Sequence, residues 1–120
     1  RFFIIDDSYN ASEKGIEGCC ETLLLLKGRK IVISQGIVEC GKMRDIANVR
    51  CGKKLGDVCD VFVAVGKNSA KLLEGAGQSA CTVLLQEKSL RHAVEAVSKH
   101  LQKDCFLLFQ NDLPDAVSLR

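Results

Sequence analysis

Two carboxylates, a phenol and an amide crowd together at Asp6, Asp7, Tyr9 and Asn10, directly after the apolar run Phe2-Phe3-Ile4-Ile5. In an open α/β sheet, ligands sit outside the carboxyl ends of the strands. A carboxylate placed there can accept from ribose hydroxyls, and an aromatic ring can lie beside a base. The plainer reading is a capped loop whose polar side chains bond the local backbone. No glycine stands between Asp6 and Ser12. A GxGxxG dinucleotide turn is therefore excluded at this position.

A second cluster, Gly36-Ile37-Val38-Glu39-Cys40-Gly41-Lys42, fits GxxxxGK and lies between a strand and a helix. A working phosphate loop continues with Ser or Thr, whose hydroxyl meets Mg²⁺. Here the next residue is Met43, a thioether ill-suited to a hard cation. Glu39 is then an acid on a strand-end loop, either functional or simply solvated. The third cluster, Gln110-Asn111-Asp112-Leu113-Pro114-Asp115, follows the last strand and is rich in turn formers. The fourth, Gly66-Lys67-Asn68-Ser69, reads as a plain helix entrance and at most a weak anion site. His92 and His100 stand eight apart on one helix, two turns and too far for a shared metal.

Strand and helix patterns alternate along the chain and must position these clusters. Short apolar strands are expected at 2–5, 31–33, 61–65, 82–85 and 105–109. Ser12 can cap a helix to about 26, in which Ile16, Cys19, Cys20, Leu23 and Leu24 recur at helical spacing. Gly15 and Gly18 weaken that helix, and close packing on the sheet is the expected reason for them. Further helices are expected at 43–58, 68–74 and from the Ser89 cap to about 101, with Gly75-Ala76-Gly77 breaking the third of the four. Apolar strands alternating with amphipathic helices imply a mainly parallel sheet covered on both sides. Right-handed crossovers make it a doubly wound, Rossmann-like α/β domain.

At 120 residues, the length predicts a single domain over 1–120. The net charge of +2, from 17 basic and 15 acidic side chains, is too balanced for nucleic acid or an anionic membrane as partner. No apolar run approaches the ~20 residues that span a bilayer, and Asp6 and Asp7 interrupt any signal-peptide layout. Arg1 is not a natural start, so the chain is expected to be an excerpt of a longer protein. The seven cysteines are odd in number and contain no CxxC. Free, buried thiols in a cytoplasmic protein are expected, with neither disulfide nor bound metal.

Three ordered motifs carry a resemblance to the C-terminal domain of Mur ligases, over almost the whole chain. Asp6-Asp7-Ser8-Tyr9-Asn10-Ala11 resembles the opening motif of the branch that adds D-alanyl-D-alanine to UDP-N-acetylmuramoyl tripeptide. The segment from Ser34 to Gly41 resembles the Pro-Gly-Ile-Val-Glu-Leu-Gly loop of its Firmicute-type members, and Asn48 falls where they commonly carry Asn. Asn111-Asp112-Leu113-Pro114-Asp115 resembles their closing motif. Gln35, Cys40, Ser12-Glu13 and Ala116-Val117 depart from the usual residues.

The resemblance implies part of an ATP-dependent ligase that forms an amide bond in peptidoglycan precursor synthesis. In that family the terminal carboxylate of the precursor is phosphorylated by ATP, and the incoming amine attacks the acyl phosphate. The partners implied are a central ATPase domain and an N-terminal UDP-sugar-binding domain of the same chain, with D-alanyl-D-alanine as second substrate. By similarity, Asp7, Tyr9 and Asn10 are nucleotide-binding. Gly36, Ile37, Glu39, Asn111 and Asp112 border the incoming dipeptide. No catalytic residue and no Mg²⁺ ligand is expected in this domain, so alone it should be inactive. The alternative is a non-catalytic small-molecule or protein-binding module that keeps the Rossmann-like shell.

Overall fold

Among the described residues, five strands and four α-helices follow one another as the alternation requires. The computed structural model describes residues 2–7, 12–37, 41–101 and 105–110. The elements are β1 (Phe2–Asp7), α1 (Glu13–Leu25), β2 (Arg29–Ser34), α2 (Arg44–Gly56), β3 (Val61–Val65), α3 (Ser69–Ala76), β4 (Val83–Glu87), α4 (Leu90–Val97) and β5 (Cys105–Gln110). Single 3₁₀ turns lead into α2 and α3 and follow α4. The strands form one sheet in the order β1-β5-β2-β3-β4, and every pairing is parallel. The doubly wound reading holds, and the sheet is wholly rather than mainly parallel.

Covering on both faces explains the composition of the strands. All five residues of β3, Val-Phe-Val-Ala-Val, are buried. On one face, Ile16, Cys19 and Leu23 of α1, Ala47, Cys51 and Leu55 of α2, and Leu72 and Ala76 of α3 pack on Val32, Phe62, Ala64 and Leu108. On the other, Leu90, Ala93 and Val97 of α4 pack on Ile31, Ile33, Val61, Val63, Val65, Leu107 and Phe109. The alternation of β2 between Ile31 and Ile33 on one side and Val32 on the other is the period of a strand with two buried faces. Ser12 caps α1 by accepting from the Gly15 amide at 3.0 Å. Ser89 caps α4 by accepting from the His92 amide at 3.2 Å.

Two glycine expectations need correction. The break expected at Gly75-Ala76-Gly77 falls at its last residue, because α3 runs through Gly75 to Ala76 and Gly77 is its C-cap. A Cβ on Gly75 would stand 1.8 Å from the Val49 carbonyl oxygen of α2, and one on Gly52 would stand 1.9 Å from that of Leu72. Both glycines let the α2 and α3 backbones meet, a use that outweighs their poor helix propensity. Gly18, by contrast, does not pack on the sheet, because a Cβ there meets nothing within 4 Å.

The six described cysteines are all free, and five of them are buried. Among the described residues, no group of three His, Cys, Asp or Glu could hold a metal ion. No described helix is long and apolar enough to cross a membrane.

Candidate functional site

The registers align one row across the carboxyl edge of the sheet. Asp7 of β1 pairs with Gln110 of β5, Gln110 with Ser34 of β2, Ser34 with Ala64 of β3, and Ala64 with Gln86 of β4. Asp6 and Asp7 belong to β1 rather than to the loop after it, because pairing with β5 carries the strand two residues past its apolar run. Tyr9, Asn10, Glu39, Asn111 and Asp112 lie outside the described residues. The segments that contain them follow β1, β2 and β5, which are neighbours in the sheet. The three motifs separated in sequence thus leave from adjacent strand ends.

Gly36 and Ile37, the other two expected substrate-binding residues, are held by a buried polar clamp. The Ser34 hydroxyl donates to Gln110 Oε1 and accepts from the Gly36 amide at 3.0 Å. Asn48 Oδ1 accepts from the Ile37 amide at 2.7 Å, while Asn48 Nδ2 donates to the Ile37 and Arg44 carbonyls, each at 2.9 Å. Asn68 Nδ2 donates to the Gln35 and Ile37 carbonyls at 3.3 and 3.4 Å. Ser34, Asn48, Asn68 and Gln110 are all buried, so each pairing removes a desolvation penalty. Gly36 has φ +82°, and a Cβ on it would stand 2.1 Å from Asn48 Oδ1. Both the backbone conformation and the space demand glycine. The Ile37 side chain lies in the core under the first three helices.

This geometry weighs against the GxxxxGK match at its first two residues. A phosphate loop turns successive amides outward to cradle the anion. Here the Gly36 and Ile37 amides are already given to Ser34 and Asn48. Beneath them, burial raises the Cys51 thiol to about 12, against a lowering hydrogen bond with Ser34.

The clamp was the part least visible in sequence. Ser34 and Gln110 each close an apolar strand with a polar residue, and that was the available signal. Asn48 was singled out only by its resemblance, and Asn68 only as part of a helix entrance.

At the other end of the same edge, β3 and β4 open a crevice of about 750 Å³ lined by Gly66, Lys67, Ser69, Gln86, Glu87, Lys88 and His92. Inside it, Gln86 Nε2 donates to Ser69 Oγ at 2.7 Å. The described ion pairs, Arg50–Glu13, Lys53–Asp57, Lys54–Glu17 and Lys71–Glu74, involve none of its charged groups.

A five-stranded parallel sheet in this order, wrapped by helices on both faces, is the Rossmann-like fold of the Mur ligase C-terminal domain. Three crystal structures of MurF are similar to this chain. A crystal structure of MurF from Acinetobacter baumannii superposes with a TM-score of 0.74 at 27% identity, covering 92% of this chain and 25% of that one. A second structure of the Acinetobacter enzyme gives 0.73 at 24% identity, covering 97% of this chain and 26% of that one. MurF from Thermotoga maritima in complex with ADP gives 0.76 at 20% identity, a likeness of fold, covering 92% of this chain and 25% of that one. The chain thus spans about a quarter of the length of the MurF chains it matches. No protein-family model and no curated protein matches it in sequence.

Proposed function

We propose that the chain serves as the C-terminal domain of an ATP-dependent amide-bond-forming ligase, closing over ATP and an incoming D-alanyl-D-alanine in peptidoglycan precursor synthesis. The observation that carries this reading is the match to MurF across 92% of the chain. Its support is the departure of the three motifs from adjacent strand ends. The Firmicute-type motifs favour that branch of the family. The remaining partners are the central ATPase domain, the UDP-sugar-binding domain and the UDP-N-acetylmuramoyl tripeptide. Localisation is cytoplasmic, where those precursors are made.

In this reading Asp7 accepts from the ribose hydroxyls of ATP, with Tyr9 and Asn10 beside the nucleotide. The loop begun by Gly36 and Ile37 carries Glu39 toward the dipeptide, and Asn111 and Asp112 reach it from the end of β5. Glu39 and Asp112 are the acids suited to the dipeptide's ammonium, because a buried cation needs a paired charge. That nitrogen must lose a proton before it attacks the acyl phosphate, and a neighbouring carboxylate can take part. Mg²⁺ and the phosphate loop belong to the central domain, so the chain alone should not hydrolyse ATP.

Steady-state kinetics of the full-length enzyme test the assignment. Asp7→Ala should weaken ATP use by ~1.5–3 kcal/mol, roughly 10- to 150-fold, as expected for losing bonds to a charged acceptor. Glu39→Gln and Asp112→Asn should raise KM for the dipeptide and leave the ATP parameters unchanged. Wild-type behaviour in all three would reduce these loops to connections between strands and helices.

A further inference from the structure

The crevice lies outside the ends of β3 and β4, one strand over from β2, which leads into the second motif. Its position follows from the winding of the chain. The segments leaving β1, β2 and β3 lead to α1, α2 and α3 on one face of the sheet, whereas the segment leaving β4 leads to α4 on the other. Neighbouring strands whose connections diverge to opposite faces leave a gap outside their carboxyl ends, and open α/β sheets bind ligands there. Among the described strand exits, β3 and β4 are the adjacent pair that diverges. The crevice occupies that gap, and about 750 Å³ is within the usual range of small-molecule sites, roughly 300–1,000 Å³.

Its lining surface is about half polar, and its side chains have donors to spare. Lys67 and Lys88 are exposed and enter no ion pair among the described residues. Ser69 Oγ accepts from Gln86 Nε2, which leaves its hydroxyl proton free to donate. His92 Nδ1 is 2.7 Å from Ser89 Oγ, which also accepts from the His92 amide. That contact engages Nδ1 and leaves Nε2 as the ring nitrogen open to a ligand. Gly66, at φ +82° with nothing within 4 Å of where a Cβ would be, lets a ligand approach the backbone. Glu87 is the one acid in the lining. Its charge offsets part, but not all, of the pull of the two lysines on an anion.

We infer that the β3–β4 crevice is a second ligand site, which takes the oxyanion of a small molecule, a phosphate or a carboxylate, between Lys67, Lys88, Ser69 and His92. This site is distinct from the strand ends proposed for ATP and the dipeptide, and it stands whether or not the ligase reading does.

Titration of the ¹⁵N-labelled chain with inorganic phosphate and, separately, with acetate tests the site, at ionic strength held constant with chloride. Saturable shifts are expected at the amides of 66–69 and 87–92. Lys67→Ala and Lys88→Ala should each raise the midpoint about three- to tenfold, and Glu87→Gln should lower it about two- to fivefold, as close charges do at a partly screened surface. Tighter binding of phosphate than of acetate assigns a phosphate group, and the reverse order a carboxylate. Both lysines are exposed, and the rest of the amide spectrum reports that each variant is folded. The inference is overturned by an absence of saturable shifts up to ~50 mM, a weaker affinity than any useful site shows. It is equally overturned by shifts spread over lysines elsewhere, or by midpoints that the lysine variants leave unchanged.

Discussion

Asn48 is the residue whose loss should tell most about the carboxyl edge. Its amide joins α2 to the loop after β2 through the Ile37 amide at 2.7 Å and the Ile37 carbonyl at 2.9 Å, at a site with no solvent exposure. In Asn48→Ala the Ile37 N–H loses its acceptor. An unsatisfied buried donor costs about 1–3 kcal/mol. The Ile37 carbonyl keeps only the longer bond from Asn68 at 3.4 Å. The Arg44 carbonyl stands four residues before Asn48 and keeps its helical partner, so it adds little. The space left by the amide adds a small cavity term. The sum is about 2–4 kcal/mol, a large part of a typical 5–15 kcal/mol domain stability. Denaturant titration should show a lower midpoint at unchanged slope, and hydrogen exchange should show the Ile37 amide newly unprotected. Asn48→Asp separates the two halves of the clamp. The carboxylate keeps an acceptor for the Ile37 amide but faces the Ile37 and Arg44 carbonyls with no donor. Burial and those oxygens raise its folded pKa above the ordinary value of about 3.9. Its stability is then greatest below that unfolded value and declines as pH rises through the folded one. A loss under ~0.5 kcal/mol in Asn48→Ala, with the Ile37 amide still protected, would refute the clamp.

Other consequences can be checked on the same chain. Gly18→Ala should stabilise by about 0.5–1 kcal/mol, because α1 gains helix propensity and the methyl meets open space. Gly52→Ala should destabilise by more than that gain, because its methyl would collide with the Leu72 carbonyl 1.9 Å away; thermal melts of the two variants should move in opposite directions. Cys81 lies 4.0 Å from Cys59, whose hydrogen bond lowers the Cys81 thiol to about 7 against the opposing effect of burial, while Cys59 itself is pushed up. Iodoacetamide should therefore modify Cys81 at lower pH than Cys20, which burial raises to about 11. Cys59→Ala should move the Cys81 midpoint upward, and an unmoved midpoint would remove the thiol pair as its cause.

What the sequence disclosed and what it withheld divide according to how far apart the interacting residues lie in the chain. The Ser12 and Ser89 caps bond three residues ahead, and the stripe of Ile16, Cys19 and Leu23 repeats within two turns. Such local rules give the elements and, through right-handed crossovers, the fold class. Gly75 misled because a helix-breaking residue by local propensity is required by a backbone 26 positions earlier, at Val49. The insertion of β5 between β1 and β2 is set by which faces the helices cover, and no single segment encodes it. The same distance hides the candidate site. Ser34 and Gln110 are separated by 76 residues, and their bond exists only because β5 lies beside β2. The motif from Asp6 to Asn10 could be singled out because its polar residues are neighbours in sequence. The crevice could not be, because Gly66 and Lys67 acquire Gln86, Lys88 and His92 only when β4 pairs with β3 and sends its helix to the opposite face. A strand-end motif can be read from one segment, whereas a site at a change of winding direction requires the strand order first.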